Sequence, residues 1–471
     1  MKYTIIGAGV AGLTAGLLLS EKPACPGRPA GRRQTGAEVE IYEQDRQVGG
    51  IAKTVCHRGY RFDLGGHRFL TKYDQVLQFW RQIVGKDFIK VSRQSRIYYG
   101  GRFLNYPLRP VDALSLGPLS ALQAVFSHLW AKARPIKPEK NLEDVYINSF
   151  GRFLYRQFFQ VYSQRLWGVS PTQMEPDWGR ARVGKLSLTS AVKDAFFPKQ
   201  TEIKSLTKKF YYPKLGPSQM WEAMASRIKK AGGKIYLGSP ITQIHHRSDK
   251  IFSLKTHAKS IKIDQLISTM PLKDFVSALV PAAPKPVMQA AKNLKYRDYI
   301  LVALAINKTN IFPDQWIYIQ DPGFKCLRLQ NINNWSASMV KNKKQTILGL
   351  EYITSRDSSL WQRTDSQMAE LGRQEAVRLG FCSPKEIAEA KIVRGLNFYP
   401  VYDLGYRKHL AVVKNYLAKF RNLTLIGRNG QHKYNNMDHS VLSAMLAVKK
   451  LAGEPVDPWS VNPEAEYLEK K

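Results

Sequence analysis

Residues 1–19 read MKYTIIGAGVAGLTAGLLL. Tyr3–Ile6 is a short apolar run, the pattern of a strand buried on both faces of a parallel sheet. Gly7, Gly9 and Gly12 follow with GxGxxG spacing, and an apolar helix pattern continues through Leu13, Ala15 and Leu17–Leu19. Each glycine has a physical task. Gly7 permits the tight turn, Gly9 lets backbone approach a pyrophosphate, and Gly12 lets helix and strand pack closely. The helix N-terminus then faces the phosphates. A second strand at Val39–Tyr42 ends in Glu43, whose carboxylate is placed to accept ribose hydroxyls. The extra length before it, Pro23–Gly36, is rich in Pro, Gly and Arg and reads as a surface loop. Strand, glycines, helix, strand and terminal Glu together predict a doubly wound α/β domain that binds a dinucleotide.

The whole chain has 471 residues, more than one hydrophobic core usually supports, so two domains are expected, with interleaving allowed. A hydrophobic fraction of 44% with 23% charged residues describes a folded chain rather than a disordered one. Cys25, Cys56, Cys326 and Cys382 stand far apart, so no metal site or disulfide framework is predicted, and a reducing, cytoplasmic setting fits. Lys and Arg number 72 against 37 Asp and Glu, a net charge of +35 that attracts anions: nucleic acid, acidic lipid or a phosphorylated small molecule. No nucleic-acid module motif is present, so nucleic acid is not an expected partner. The mostly apolar Val111–Ala133 runs into Lys132, Arg134, Lys137 and Lys140. It reads as an internal helix of a helical domain, with peripheral association with an anionic membrane as the alternative.

Further along stand Val48-Gly49-Gly50 and then Tyr60-Arg61-Phe62-Asp63-Leu64-Gly65-Gly66-His67. With the opening segment, these blocks resemble the glutathione-reductase-like flavoproteins, especially the amine oxidase, protoporphyrinogen oxidase and UDP-galactopyranose mutase group. The resemblance implies FAD as cofactor. It places Gly49 and Gly50 by the flavin-side phosphates and Gly65-Gly66-His67 against the flat isoalloxazine, where bare glycine backbone permits close contact. Lys234–Leu237, Asp264–Thr269 and Leu423–Ile426 look like the later strands of the same domain. The FAD-binding domain is therefore expected to be discontinuous, at 1–90, 205–270 and 395–471, with an interleaved mixed helical and sheet substrate domain at 91–204 and 271–394.

Five blocks are similar to UDP-galactopyranose mutase in particular: Asp63–Thr71, Arg102–Pro107, Tyr162–Trp167 with Pro171, Met174 and Trp178, Trp316–Ser336, and Gly427–Ser440 (GRNGQHKYNNMDHS). This likeness implies a nucleotide sugar or related glycoconjugate precursor, rearranged at N5 of reduced flavin. It makes Arg328 and Arg428 candidates to clamp phosphates bidentately, with Tyr434 and His67 beside them as further catalytic candidates. Tyr106, Trp167, Tyr399 and Tyr402 are candidate substrate contacts, and Gly427 and Asp438 candidate cofactor contacts. One stretch departs from the pattern. Tyr399–Tyr406, YPVYDLGY, looks more like an oxidase or desaturase ending, which keeps open an oxidoreductase acting on an amine, polyene or tetrapyrrole. A non-enzymatic FAD-bearing or membrane-surface protein is a third reading.

Overall fold

A computed structural model describes residues 1–21, 37–106, 117–183 and 209–461, the side chains of 181–183 excepted. The expected Pro23–Gly36 loop, Pro107 and the first residues of the Val111–Ala133 stretch lie outside these.

Five parallel strands form the sheet that the opening segment predicts. In order across it run Leu423–Leu425, Gln265–Ser268, Lys2–Ile6, Glu38–Tyr42 and Lys234–Tyr236. The registers Ile5↔Ile267 and Ile5↔Ile41 bury the first strand centrally, which is why its sequence is continuously apolar rather than alternating. Gln265–Ser268 lies between the N-terminal strand Lys2–Ile6 and the C-terminal strand Leu423–Leu425, so the α/β fold is discontinuous. The helix Val10–Ser20 follows the glycine turn and is buried on nearly every side. It packs in one cluster with Val441 and Ala444 of the helix Met437–Leu451 and with Met224 and Ile228 of the helix Ser218–Lys230. That burial explains a helix that is apolar all round.

A second, seven-stranded sheet is built from Ile387–Pro400, Tyr296–Ile306, Thr346–Thr354, Arg328–Asn331, Trp316–Ile319, Ser95–Tyr99 and Arg102–Asn105, in that order. All its pairs are antiparallel except Ser95–Tyr99 with Trp316–Ile319. Strand alternation sends Tyr299, Leu301 and Ala303 into a cluster that also holds Trp167 and Tyr399. Ile300, Val302 and Leu304 point the other way, toward Met368 and Ala376 of the helix Asp365–Arg378. Helices between Pro118 and Val183 form a layer beside the first face.

The helix Pro118–Ala133 is internal on one face only. Its buried residues are Ala121, Ala124, His128 and Ala131, while its large apolar side chains face outward.

Helix and strand meet tightly at the opening turn. A Cβ on Gly12 would sit 1.9 Å from the Gly7 carbonyl oxygen, whereas one on Gly9 would find only the Gly50 Cα, at 3.8 Å. Gly12→Ala must therefore displace backbone and should cost about 1–3 kcal/mol. Gly9→Ala should cost less than about 1 kcal/mol. Chemical unfolding midpoints of the two variants check the ranking.

Candidate functional site

The first part of the site is backbone. Gly7, at φ +97°, donates its N–H to the Tyr42 carbonyl at 2.8 Å and swings the chain off the strand. The first bond inside the helix runs from Leu13 N–H to the Gly9 carbonyl, at 2.9 Å. The N–H groups of Val10, Ala11 and Gly12 thus lie in the first turn, ahead of any intrahelical acceptor. No acidic side chain stands in that turn and no side chain caps it. Gly49 bonds the Ala8 carbonyl at 2.8 Å, and a Cβ on Gly50 would press the Gly9 Cα at 3.1 Å. Bare backbone and a helix N-terminus with no acidic side chain in its first turn make a donor set suited to a pyrophosphate.

Glu43 is where the second strand was expected to place it. Its two oxygens accept from Ala8 N–H at 2.6 Å and Asp45 N–H at 2.9 Å, so the carboxylate also ties the glycine turn to the second strand. Burial pushes its pKa up. Gly427, at φ +76°, brings the C-terminal segment onto the same helix. A Cβ there would meet the Ala11 Cβ at 2.9 Å. Asp438 is buried in the first turn of the helix Met437–Leu451, 3.3 Å from His439 Nδ1, and burial raises its pKa.

The second part lies where the glycine–histidine loop meets the seven-stranded sheet. Asp63, at the end of the hairpin strand Tyr60–Asp63, accepts from Tyr212 Oη at 2.5 Å and Thr54 Oγ1 at 2.7 Å, which anchors the loop that follows. Burial pushes its carboxyl up to about 7. Gly66 is held against the Trp335 ring, which a Cβ would meet at 3.1 Å. His67 then sits within the fields of Arg428 and Arg328. Burial first, and the Arg428 charge second, pull its pKa down to about 3, so the imidazole is neutral at any ordinary pH.

Sheet register assembles the rest. Tyr318, Arg328, Glu351 and Leu301 stand opposite one another on four consecutive strands and so share one face. Arg328 Nη2 lies 2.6 Å from Glu351 Oε2 and donates to Tyr399 Oη at 2.7 Å. Gln330 donates to the other Glu351 oxygen at 2.7 Å. Arg428 is held differently. Its Nε donates to the Asn435 carbonyl at 2.8 Å and its Nη1 to the Phe398 carbonyl at 2.9 Å, with the guanidinium carbon 4.9 Å from the Tyr434 ring. Tyr434 stacks on Tyr399 at 5.6 Å and meets the edge of Trp167 at 5.8 Å.

Arg328, Arg428, His67, Tyr399 and Tyr434 are therefore brought together. Trp167 is only 1% exposed and acts on the cluster from behind, as packing for Tyr434. Tyr402 is also buried. It stacks on Tyr406 at 4.5 Å, and its hydroxyl accepts from the Tyr434 N–H at 2.7 Å, so it positions Tyr434. Tyr106 lies at the exposed rim, 4.6 Å from the Tyr318 ring. The divergent YPVYDLGY stretch is accounted for by the turn it makes. Asp403 pairs with Lys295 at 2.7 Å, and left-handed Gly405 starts the helix Tyr406–Leu417.

Sequence reading missed Glu351, Tyr299 and Tyr162. Tyr299 is wholly buried, with its hydroxyl unpartnered and about 4.0 Å from the Cβ position of Gly65. Tyr162 lies close enough to Arg328 and Glu351 to feel both charges. Glu351 left a signal, a lone carboxylate in the otherwise uncharged run Thr346–Thr354. Its pairing makes a prediction. Glu351→Gln leaves the Arg328 charge uncompensated in a site where that side chain is 21% exposed. The expected loss is about 3 kcal/mol, near the low end for breaking a buried pair. The double variant Arg328→Met/Glu351→Leu should recover most of it. Denaturant titration of the three proteins measures both.

Comparison with known proteins fits this arrangement. A structure of reduced UDP-galactopyranose mutase superposes with a TM-score of 0.84 at 19% identity, covering 100% of this chain and 99% of that one. Cyclohexylamine oxidase from Brevibacterium oxydans IH-35A gives 0.62 at 15%, over 96% and 99% of the two chains. A fatty acid isomerase from P. acnes that produces CLA gives 0.58 at 15%, over 95% and 98%. At these identities the likeness is one of fold. Residues 10–375 match the family described as flavin containing amine oxidoreductase, more than three quarters of the chain. The chain belongs to that family of flavin-dependent enzymes.

Proposed function

We propose that this chain binds FAD and acts on an anionic small molecule, a nucleotide sugar or related phosphate-bearing sugar precursor. The adenosine diphosphate half is assigned to Gly7, Gly9, Gly12 and Glu43, the flavin-side phosphates to Gly49 and Gly50, and the ring to Gly65 and Gly66, with Gly427 and Asp438 as further cofactor contacts. Reduced flavin supplies an electron-rich N5 able to bond an electrophilic carbon.

The observation that carries the substrate reading is the charge count around His67. Of the two guanidiniums, Arg328 pairs with the Glu351 carboxylate, Arg428 is held by carbonyl oxygens, and His67 adds no charge. The cluster is left with net positive charge, which favours a phosphate. In this reading Arg428 and Arg328 grip phosphate oxygens, and Tyr399 and Tyr434 donate hydroxyl hydrogen bonds. Tyr402 and Trp167 hold Tyr434 in place. The similarity to a UDP-galactopyranose mutase over the whole length of both chains supports the same substrate class.

A second reading rests on a different observation. The Nη2 of Arg328 is already engaged by Glu351 and Tyr399, and the surrounding wall is aromatic, with Tyr162, Tyr299 and Tyr318. Such a wall suits an uncharged amine, polyene or tetrapyrrole oxidised by the flavin.

Purified protein should be yellow and release FAD on denaturation. A protein that stays colourless after reconstitution overturns both readings. UDP-hexose should perturb the reduced-flavin spectrum on titration, and Arg428→Ala should weaken that binding at least about tenfold, roughly the 1.4 kcal/mol of one charge-assisted contact. Bleaching of oxidised flavin by an amine or tetrapyrrole without dithionite, and no response to UDP-hexose, selects the second reading.

The pH dependence is also fixed. With its pKa lowered to about 3, His67 gains its proton only far below neutrality, and a sugar diphosphate stays ionised. His67 should therefore contribute no change in affinity for UDP-hexose from about pH 5 to 8, a window in which the Asp63 carboxyl, pushed up to about 7, does titrate. An imidazole with an ordinary pKa would instead strengthen binding as the pH fell through 6.5, so isothermal titration across that window should give the same pH profile for the unmodified protein and His67→Ala, and a profile that flattens in the variant overturns the neutral imidazole.

A further inference from the structure

The helix Pro118–Ala133 carries its amphipathic pattern inside out. Its buried face is Ala121, Ala124, His128 and Ala131. Ala124 packs with Ile97, Leu104, Leu154 and Phe158, so small residues make the internal contact. Leu119, Leu122, Val125, Phe126, Leu129 and Trp130 are 48–70% exposed. At 3.6 residues per turn these six fall within an arc of about 140° along a helix about 24 Å long. Isolated exposed apolar residues need no explanation, but a contiguous stripe of six large ones does.

Charge narrows the occupant. The helix contains no Asp or Glu. Lys132 borders the stripe, and Arg134, Lys137 and Lys140 follow, all exposed. The Arg134 guanidinium lies 4.5 Å from the Trp130 ring, so the end of the stripe joins an aromatic group to a cation. Two copies meeting on this face would each bring a net charge of +35, which opposes self-association. No helix among the described residues is long and apolar enough to cross a membrane. A short helix with an apolar stripe, a terminal Trp and basic flanks is the form that lies in the plane of a lipid–water interface.

We propose that the Leu119–Trp130 face docks on the surface of an anionic lipid bilayer, inserting its six apolar side chains at the acyl boundary while Lys132, Arg134, Lys137 and Lys140 meet the headgroups. This stands apart from the substrate reading, since it rests on none of the residues around His67 and is tested without turnover. The experiment is co-sedimentation of the full-length flavoprotein with phosphatidylcholine vesicles containing about a quarter phosphatidylglycerol, against pure phosphatidylcholine. Binding should be at least about tenfold stronger to the anionic vesicles and should weaken as salt rises. The triple variant Leu122→Ser/Phe126→Ser/Trp130→Ser should lose at least about tenfold in vesicle binding with an unchanged flavin spectrum and thermal midpoint. Lys132→Glu/Arg134→Glu should weaken binding without abolishing it. Equal binding to both vesicles, undiminished binding by the triple variant, or a dimer in light scattering that Phe126→Ser dissociates, overturns the proposal.

Discussion

Three distant parts of this chain converge on the first turn of one helix, and they can do so only because almost nothing projects there. The Gly7 carbonyl occupies the space where a Gly12 side chain would begin. Gly49 hydrogen-bonds across to Ala8, and Gly427 rests on Ala11. A methyl group at Gly12 or Gly427 would force these segments apart, and the strands Lys2–Ile6, Gln265–Ser268 and Leu423–Leu425 could not keep their register. The requirement that keeps the junction bare of side chains also leaves backbone N–H groups without acceptors. Fold and anion-binding capacity thus have one cause, the absence of Cβ atoms at a crossing point.

At the other end of the site the governing quantity is charge. Arg328 is a partly buried cation whose stability depends on Glu351, and Glu351 in turn is steadied by Gln330. Arg428 is held by carbonyl oxygens, which orient a guanidinium without neutralising it. Between them lies an imidazole that their combined field and its burial keep deprotonated. A protonated His67 would add a third cation beside Arg328, which Glu351 pairs, and Arg428, which carbonyl oxygens hold, and the site disfavours it.

The strand–turn–helix fold of the proposed nucleotide end was legible in the sequence because its determinants are local. Strand, glycine spacing, helix and terminal Glu43 all fall within one turn of βαβ structure. Arg328, Arg428, His67, Tyr399 and Tyr434 could be named from motif likeness, and they do converge. What could not be read was how they converge, because that depends on register between strands distant in sequence. Glu351 stands opposite Arg328 only because Arg328–Asn331 pairs antiparallel with Thr346–Thr354. Shifting that register by one residue would send Glu351 to the other face, into the cluster around Met368. Trp167 and Tyr402 illustrate the opposite error. Their residue types suit substrate contact, but burial assigns them to packing and positioning Tyr434. The helix Pro118–Ala133 defeated sequence reading for a related reason. Periodicity reveals an apolar stripe, but not that alanines would take the inward face.

The same register argument bears on how one scaffold can host different chemistries. The dinucleotide end depends on backbone and tolerates little change, whereas the row Tyr318, Arg328, Glu351, Leu301 consists of side chains on a sheet whose hydrogen bonds do not involve them. Each can be exchanged without disturbing the ladder, provided a buried charge and its partner change together. Replacing the Arg328–Glu351 pair with apolar residues would leave the sheet and the net charge unchanged, with Arg428 as the remaining cation beside the aromatic wall of Tyr162, Tyr299 and Tyr399. The distance between a site for phosphates and a site for uncharged substrates on this fold is therefore short, and the proposed phosphate reading rests on Arg428, whose hydrogen-bond partners are carbonyl oxygens rather than a carboxylate.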